Sequence, residues 1–372
     1  MTMSPWSLPG PRRLIDRTVD RLVGGGCFCA VLLRPALCLD DVESALRSRL
    51  NTNGWQFRTI VPVDQPLPRA MLQDVGRQRR QEVTARDVLH APELAGVVFV
   101  HHAIDIADMD VWRRFLSQVE VQARVTPPPD PPRFIVLAPP AHEVGWEEST
   151  GYFIADLGIA MSPVDTLLLA FNLAAERDLK DHEAQLLCQV CASIALWDIE
   201  LLARLVRASW QDVANPSGLL RDYAAENNWQ MTDPLSACTG MQRQFGTRVE
   251  THSARLALSN KTATDLASRV WAGQTSVLLP AIEWRRQELV QKNKPFLESR
   301  LPIQRSDDEN IVQVSELEIG QISWLLNSRG SPATVQHKNL ARRLKIARNS
   351  LAHFEPLSDA DALYSGLHEP VS

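Results

Sequence analysis

The sequence predicts an α/β domain followed by an all-helical region. Three observations carry that reading. The chain has 372 residues, enough for two or three cores rather than one. From Cys27 to Pro140 short apolar runs alternate with amphipathic stretches, the pattern of a parallel sheet covered by helices. From Val164 onward the apolar residues recur at three- and four-residue spacing instead.

Taken in order, Met1 to Arg13 holds Pro5, Pro9, Gly10 and Pro11, lacks the basic-then-apolar layout of a secretory signal, and reads as part of a short arm over 1–26. Gly24-Gly25-Gly26 forms a flexible entry turn to the first strand, Cys27–Leu33. A helix follows, capped by Asp40 and Asp41 and carrying Val42, Ala45, Leu46 and Leu50 on one side. Further strands are expected at Trp55–Val61, Ala95–Val100 and Arg133–Ala138. A helix runs through Val111, Trp112, Phe115, Leu116 and Val119, and Thr126–Pro132 forms a stiff proline loop.

Helices are expected over Val164–Glu176, His182–Leu196 and Ile199–Trp210, with Trp197 in the core. An irregular connection follows over 231–263. The C-terminal region, 264–372, opens with a long helix, Thr264 to Asn293, that Pro280 should kink or divide. Helices Ser315–Asn327 and Val335–Phe354 complete a small bundle, the latter with Leu340, Leu344, Ala347 and Leu351 on its apolar side.

The layout of 27–160 resembles the core of a P-loop or AAA-type nucleotide-binding domain, and 161–230 then corresponds to the helical lid that follows such cores. The chemistry departs from that family. A working phosphate loop needs glycines, a lysine and a hydroxyl, because backbone N–H groups, an ammonium and a magnesium ligand must converge on the phosphates. The turn after the first strand reads Arg34-Pro-Ala-Leu-Cys-Leu-Asp40, with neither glycine nor lysine, and the third strand ends in His101-His102 rather than an acidic pair. The resemblance therefore implies a degenerate, ATPase-silent domain lacking Walker motifs. His101, His102, Asp105 and Asp108 read either as a polar strand end or as a metal site. Adjacent strand residues point to opposite sides, which favours the former.

Net charge is −5, so any nucleic-acid contact must be local. No run of roughly 18 uncharged apolar residues suggests a membrane span, and a cytoplasmic location is expected. Six cysteines are too sparse for a disulfide framework. Cys188 and Cys191 have zinc-like spacing but no second pair, and with Cys27 and Cys29 they read as packing residues. No metal or cofactor is expected.

One segment carries chemistry: Arg348-Asn349-Ser350-Leu351-Ala352-His353. An arginine followed at this distance by a histidine, late in a helical bundle, resembles the motif of the HEPN superfamily, whose members include ribonucleases of prokaryotic defence and toxin systems. The resemblance covers about the last hundred residues, 264–372. It implies metal-independent RNA cleavage, a dimer through the bundle and a protein partner from the same system. His353 suits proton transfer near neutral pH, and Arg348 suits contact with a developing phosphorane. Asn349 and His353 share a face, while Arg348 lies about 100° from Asn349 and must reach round. Lys338, Arg342, Arg343 and Lys345 make the same helix basic and suited to phosphate contacts. The same residues also read as a solvated helix face, with Glu355 able to pair with Arg348 or His353, and with Glu283, Arg285 and Arg286 as ion-pair partners. The competing functional reading is a non-enzymatic scaffold.

Overall fold

The computed structural model describes residues 4–24, 27–33, 41–60, 66–74, 83–103, 106–126, 130–138, 151–233, 235, 239–304 and 310–368. Contacts group Met1–Asp165 with Thr232–His252 in one compact unit, and Thr166–Met231 with Ser253–Ser372 in another.

The first unit begins with α1 (Pro9–Val23). The expected arm is thus largely a helix: Ile15, Val19 and Leu22, at one-turn spacing, are buried beneath a surface of arginines and aspartates that hid the pattern. Its N-terminus is held by Asp165, whose Oδ1 accepts from the Gly10 N–H at 3.0 Å. Then come β1 (Cys29–Leu33), α2 (Val42–Thr52), β2 (Gln56–Ile60), α3 (Leu67–Asp74) and α4 (Ala85–Leu89). The run ends with β3 (Val97–His102), α5 (Ile106–Val125), β4 (Arg133–Ala138) and β5 (Tyr152–Asp156).

The five strands form one sheet in the order β2-β3-β4-β1-β5, and every pairing is parallel. Cys29 stands opposite both Phe134 and Tyr152, and Phe99 opposite Phe134. Strands covered on both faces must be apolar throughout, which is why β1, β3 and β4 read as continuous runs. The edge strand β2 keeps Gln56, Arg58 and Thr59. Phe99, Phe134, Trp112 and Phe115 form the aromatic centre of the core. The turn Arg34–Asp40, Gly25, Gly26, Asp105 and Pro127–Pro129 lie outside the described residues.

The stretch expected to be an irregular connection carries a hairpin, β6 (Gln242–Phe245) and β7 (Arg248–Thr251), turned at Gly246 with φ +60°. It is pinned by buried Arg243, which donates to the Met161 carbonyl and to Glu250, each at 2.7 Å.

The second unit is helical: α6 (Pro163–Ala174, from Thr166 on), α7 (Asp181–Ala195), α8 (Ile199–Arg207), α9 (Trp210–Ala214), α10 (Ser217–Glu226) and α11 (Ser253–Ala257). It continues with α12 (Ala263–Lys292), α13 (Lys294–Glu298), a small hairpin of β8 (Ile303–Gln304) and β9 (Asn310–Ile311), α14 (Ile319–Leu326), α15 (Val335–Ala352) and α16 (Ala360–His368). The expected lid and bundle therefore share one unit. Its axis is α12, which runs undivided through Pro280 because Val277, Leu278 and Ile282 on either side are buried. Helix α12 crosses α7 at Gly273, where no side chain intervenes before the Val190 backbone. Trp197 is buried, as are Cys27, Cys29, Cys188 and Cys191, all free thiols. Among the described residues no helix is long and apolar enough to cross a membrane.

Candidate functional site

Helix α15 forms because Thr334 caps it, its side chain accepting from the His337 N–H at 3.2 Å. His337, Ala341, Leu344, Ala347 and Leu351 make its buried stripe. Two of these, His337 and Ala341, were not on the expected apolar side, whereas Leu340 is only half-buried. The opposite face is solvent-exposed.

On that face, at about 100° per residue, Lys345, Lys338, Asn349, Arg342 and His353 fall within an arc of about 80°. Arg342, Lys345, Asn349 and His353 are exposed and Lys338 is half-buried. Among the described residues none of Lys338, Arg342, Arg343 and Lys345 has an ion-pair partner. Arg343 lies apart from the row, with its guanidinium beside Gly366 of α16.

Arg348 stands on the other flank, about 140° from His353 around the helix axis. It pairs with Glu318, the residue before α14, at 3.6 Å. The expected competitors lie elsewhere: Glu283 binds Arg286, and Arg285 binds Glu288 and the Leu367 carbonyl. Glu355 uses its backbone N–H, not its carboxylate, donating to the Ser350 carbonyl at 2.9 Å. Arg348 and His353 therefore do not meet within one chain. No sequence spacing pointed to Glu318, thirty positions upstream.

His353 caps the C-terminus of α15, and Phe354 after it adopts φ +61°. The Phe354 N–H donates to Leu351 and the Glu355 N–H to Ser350, which is a Schellman arrangement with phenylalanine in the usual glycine position. Phe354 compensates by packing on Trp271 of α12, ring centroids 4.5 Å apart, and the Trp271 indole N–H donates to the Leu351 carbonyl at 2.7 Å. These contacts fix the backbone that carries His353.

The carboxyl edge of the sheet in the first unit holds a second polar group. His101 is buried, stacked on Trp112 at 4.7 Å, with Nε2 2.7 Å from Asp108 and Nδ1 3.3 Å from the Ile60 carbonyl. His102 Nε2 lies 2.7 Å from Glu43. Glu43 is itself held below the usual carboxylate range. Its partial burial acts in the opposite sense but is outweighed by hydrogen bonds from Thr59, His102 and Arg47. The two imidazoles thus take separate carboxylates, and among the described residues no cluster could hold a metal ion.

Fold and site together define a two-unit chain: an open parallel α/β sheet with a helical unit whose late helix exposes a cationic row ending in histidine. No family model matches the chain and no curated protein is similar to it.

Proposed function

We propose that this chain is the RNA-directed component of a prokaryotic defence- or toxin-type system, with the helical unit as a HEPN-like, metal-independent endoribonuclease. The observation that carries this is the row Lys338, Arg342, Lys345, Asn349 and His353 along α15, exposed but for the half-buried Lys338, its cations without a carboxylate partner among the described residues. Single-stranded RNA laid along the row places its phosphates against the cations and a scissile ribose near the imidazole. His353 takes the 2′-hydroxyl proton and that oxygen attacks phosphorus. The 5′-oxygen leaves with a proton taken from solvent water, and His353 later returns its proton to solvent, giving a 2′,3′-cyclic phosphate and a 5′-hydroxyl. Arg348, on the opposite flank, stabilises the phosphorane from a second copy of the chain, so the active form is a dimer through the bundle.

The first unit acts in this reading as a silent, P-loop-like regulator, with the helices that follow as its lid-like extension and a partner protein from the same system as its ligand. The strand order supports it. In the order β2-β3-β4-β1-β5 the chain leaves β1 toward one edge and reaches β5 on the other side, so the carboxyl end of β1 is the switch point where open α/β sheets bind phosphates. The segment there, Arg34–Asp40, lacks the glycines and lysine for turnover.

The test is cleavage of labelled RNA by the purified chain. Cleavage must survive EDTA, fall at least a hundredfold in His353→Ala and Arg348→Ala, and leave cyclic-phosphate ends. Neutralising Lys338, Arg342 and Lys345 together should lower the salt slope of RNA binding by about 2, at roughly 0.7 per single-strand phosphate. RNA binding or cleavage indifferent to all five residues defeats the assignment. One observation favours the scaffold reading instead: Arg348 is already engaged by Glu318. Under that reading the chain binds a partner protein and both histidine and arginine variants leave RNA untouched.

A further inference from the structure

We infer that the helical unit carries a second, separate binding site, for a small organic cation: an ammonium or guanidinium on a short apolar stem. The site is a cavity of about 260 Å³ among α7, α9 and the start of α16. That volume lies just below the roughly 300–1,000 Å³ usual for ligand pockets and suits a small group rather than a nucleotide or a folded peptide.

Its lining combines apolar surface with unmatched negative charge. Leu186 and Leu187 of α7 are buried beneath it, and Trp210 and Tyr364 contribute rings. Their polar ends are satisfied elsewhere: the Trp210 indole N–H donates to the Ser358 carbonyl at 3.3 Å, and the Tyr364 hydroxyl to Gln185 at 3.0 Å. What these rings offer an occupant is therefore apolar, electron-rich surface.

Two half-buried carboxylates line the same cavity, Glu183 and Asp361. Among the described residues Glu183 receives only neutral donors, the Lys180 N–H at 3.2 Å and the Ser365 hydroxyl at 3.4 Å. Asp361 has no ion pair among the described residues. The one cation in the lining, Arg177, turns its Nη1 to the backbone carbonyls of Val206 and Ala208. Elsewhere in this unit the half-buried Glu288 is matched by Arg285 and Lys292, and even the exposed Glu226 and Glu283 pair with Arg204 and Arg286.

Charge decides the ligand class. An anion would meet two carboxylates, and a neutral apolar molecule would strip water from both without replacing its hydrogen bonds. A cation with an apolar stem gains charge-assisted hydrogen bonds from the acids and attraction to the aromatic faces. Such a group arrives either as a free amine or guanidine, or as the arginine side chain of an extended peptide.

Calorimetry on the full chain separates these outcomes, with butylguanidine, its neutral isostere butylurea and an acetyl-Gly-Arg-Gly-amide peptide as probes. Expected is saturable binding of butylguanidine or the peptide, none of butylurea, and a loss of about tenfold or more in each of Asp361→Asn and Glu183→Gln. Glu298→Gln, at a carboxylate already paired with Lys294, should change nothing. Tighter binding of the peptide assigns the site to a partner's arginine, and tighter binding of butylguanidine to a free metabolite. Absence of saturation for both cations up to roughly 10 mM, beyond useful affinity, overturns the inference. So does butylurea binding as well as its charged twin, a comparison made on the unmodified protein. None of these readouts depends on RNA cleavage.

Discussion

Replacing Gly273 by alanine tests the packing of the helical unit at its closest point. A Cβ on Gly273 would lie 2.6 Å from Val190 Cα, 2.9 Å from the Gln189 carbonyl oxygen and 3.0 Å from Val190 N. All three are backbone atoms of α7, so no side chain can rotate away and the two helices must part by a fraction of an ångström to about one. Forced overpacking of this kind costs typically ~1–3 kcal/mol. Alanine recovers ~1 kcal/mol of helix propensity relative to glycine, so the net expectation is a loss of up to about 2 kcal/mol. For a unit of this size that is a fall of up to about 8 °C in melting temperature, at roughly 2–4 °C per kcal/mol. Gly320, in the first turn of α14, is the internal control: a Cβ there meets nothing within 4 Å, so Gly320→Ala should be neutral to stabilising, by at most the ~0.5–1 kcal/mol of a mid-helix glycine. Both are read by urea and thermal unfolding followed by circular dichroism at 222 nm. If Gly273→Ala is as stable as Gly320→Ala, the close α7–α12 crossing is not what holds the unit together.

Two further outcomes follow from burial of titratable groups. Burial, and then the nearby Lys292, push the His337 ring below its ordinary value of 6.5, with Glu288 opposing. Its Nδ1 sits 3.3 Å from the Asn293 side-chain N, a donor that needs the ring unprotonated. The unfolded chain therefore takes up this proton first, so the stabilisation is complete above about pH 6.5 and is lost as pH falls through the lower folded value. Melting temperature should drop as pH falls below about 6.5, and His337→Gln should flatten that slope; an unchanged slope contradicts the assignment. The thiols are raised: Cys27 to about 11 and Cys188 to about 12, both chiefly by burial, and Cys29 and Cys191 well above the usual range, by burial and a neighbouring cysteine. Iodoacetamide at pH 8 should label these four only after unfolding, as site-resolved mass spectrometry will show, and rapid native labelling of Cys188 would reopen a redox or metal role.

The strands were legible where burial on both faces forces an unbroken apolar run, and β4 lies where its pattern placed it, at Arg133–Ala138. Helix α7 differs from its expected span by one residue at each end, because its periodic apolar positions are also its buried ones. What escaped was structure whose pattern is diluted. In α1 the buried Ile15, Val19 and Leu22 are separated by charged residues, and prolines near its start suggested an arm. Those prolines in fact suit the first turn of a helix, where no N–H is needed. The hairpin at Gln242–Thr251 is built from polar residues on a pinned arginine, and α16 is only nine residues long. At the candidate site helical spacing put Asn349 and His353 on one face, but the basic residues were read together with Arg343, which lies apart from that row, and Glu318 was not legible, since a long-range ion pair leaves no periodic trace.

The end of α15 bears on both functional readings. Exposed helix ends ordinarily fray, and a terminal histidine on a fraying turn could not hold a reacting proton in place. Here the turn is overdetermined by two Schellman hydrogen bonds, by the Trp271 indole on the Leu351 carbonyl, and by Phe354 packed on the same tryptophan. The arrangement tolerates a left-handed phenylalanine, a conformation that costs a non-glycine residue ~1–2 kcal/mol. A helix needing only to stop would do so at lower cost with glycine at 354. Phenylalanine, largely exposed, lays part of its ring on Trp271, and what the turn holds in place is the backbone of His353. A held backbone at His353 suits the proposed proton transfer, and the exposed Phe354 ring beside it suits the docking surface of the scaffold reading equally.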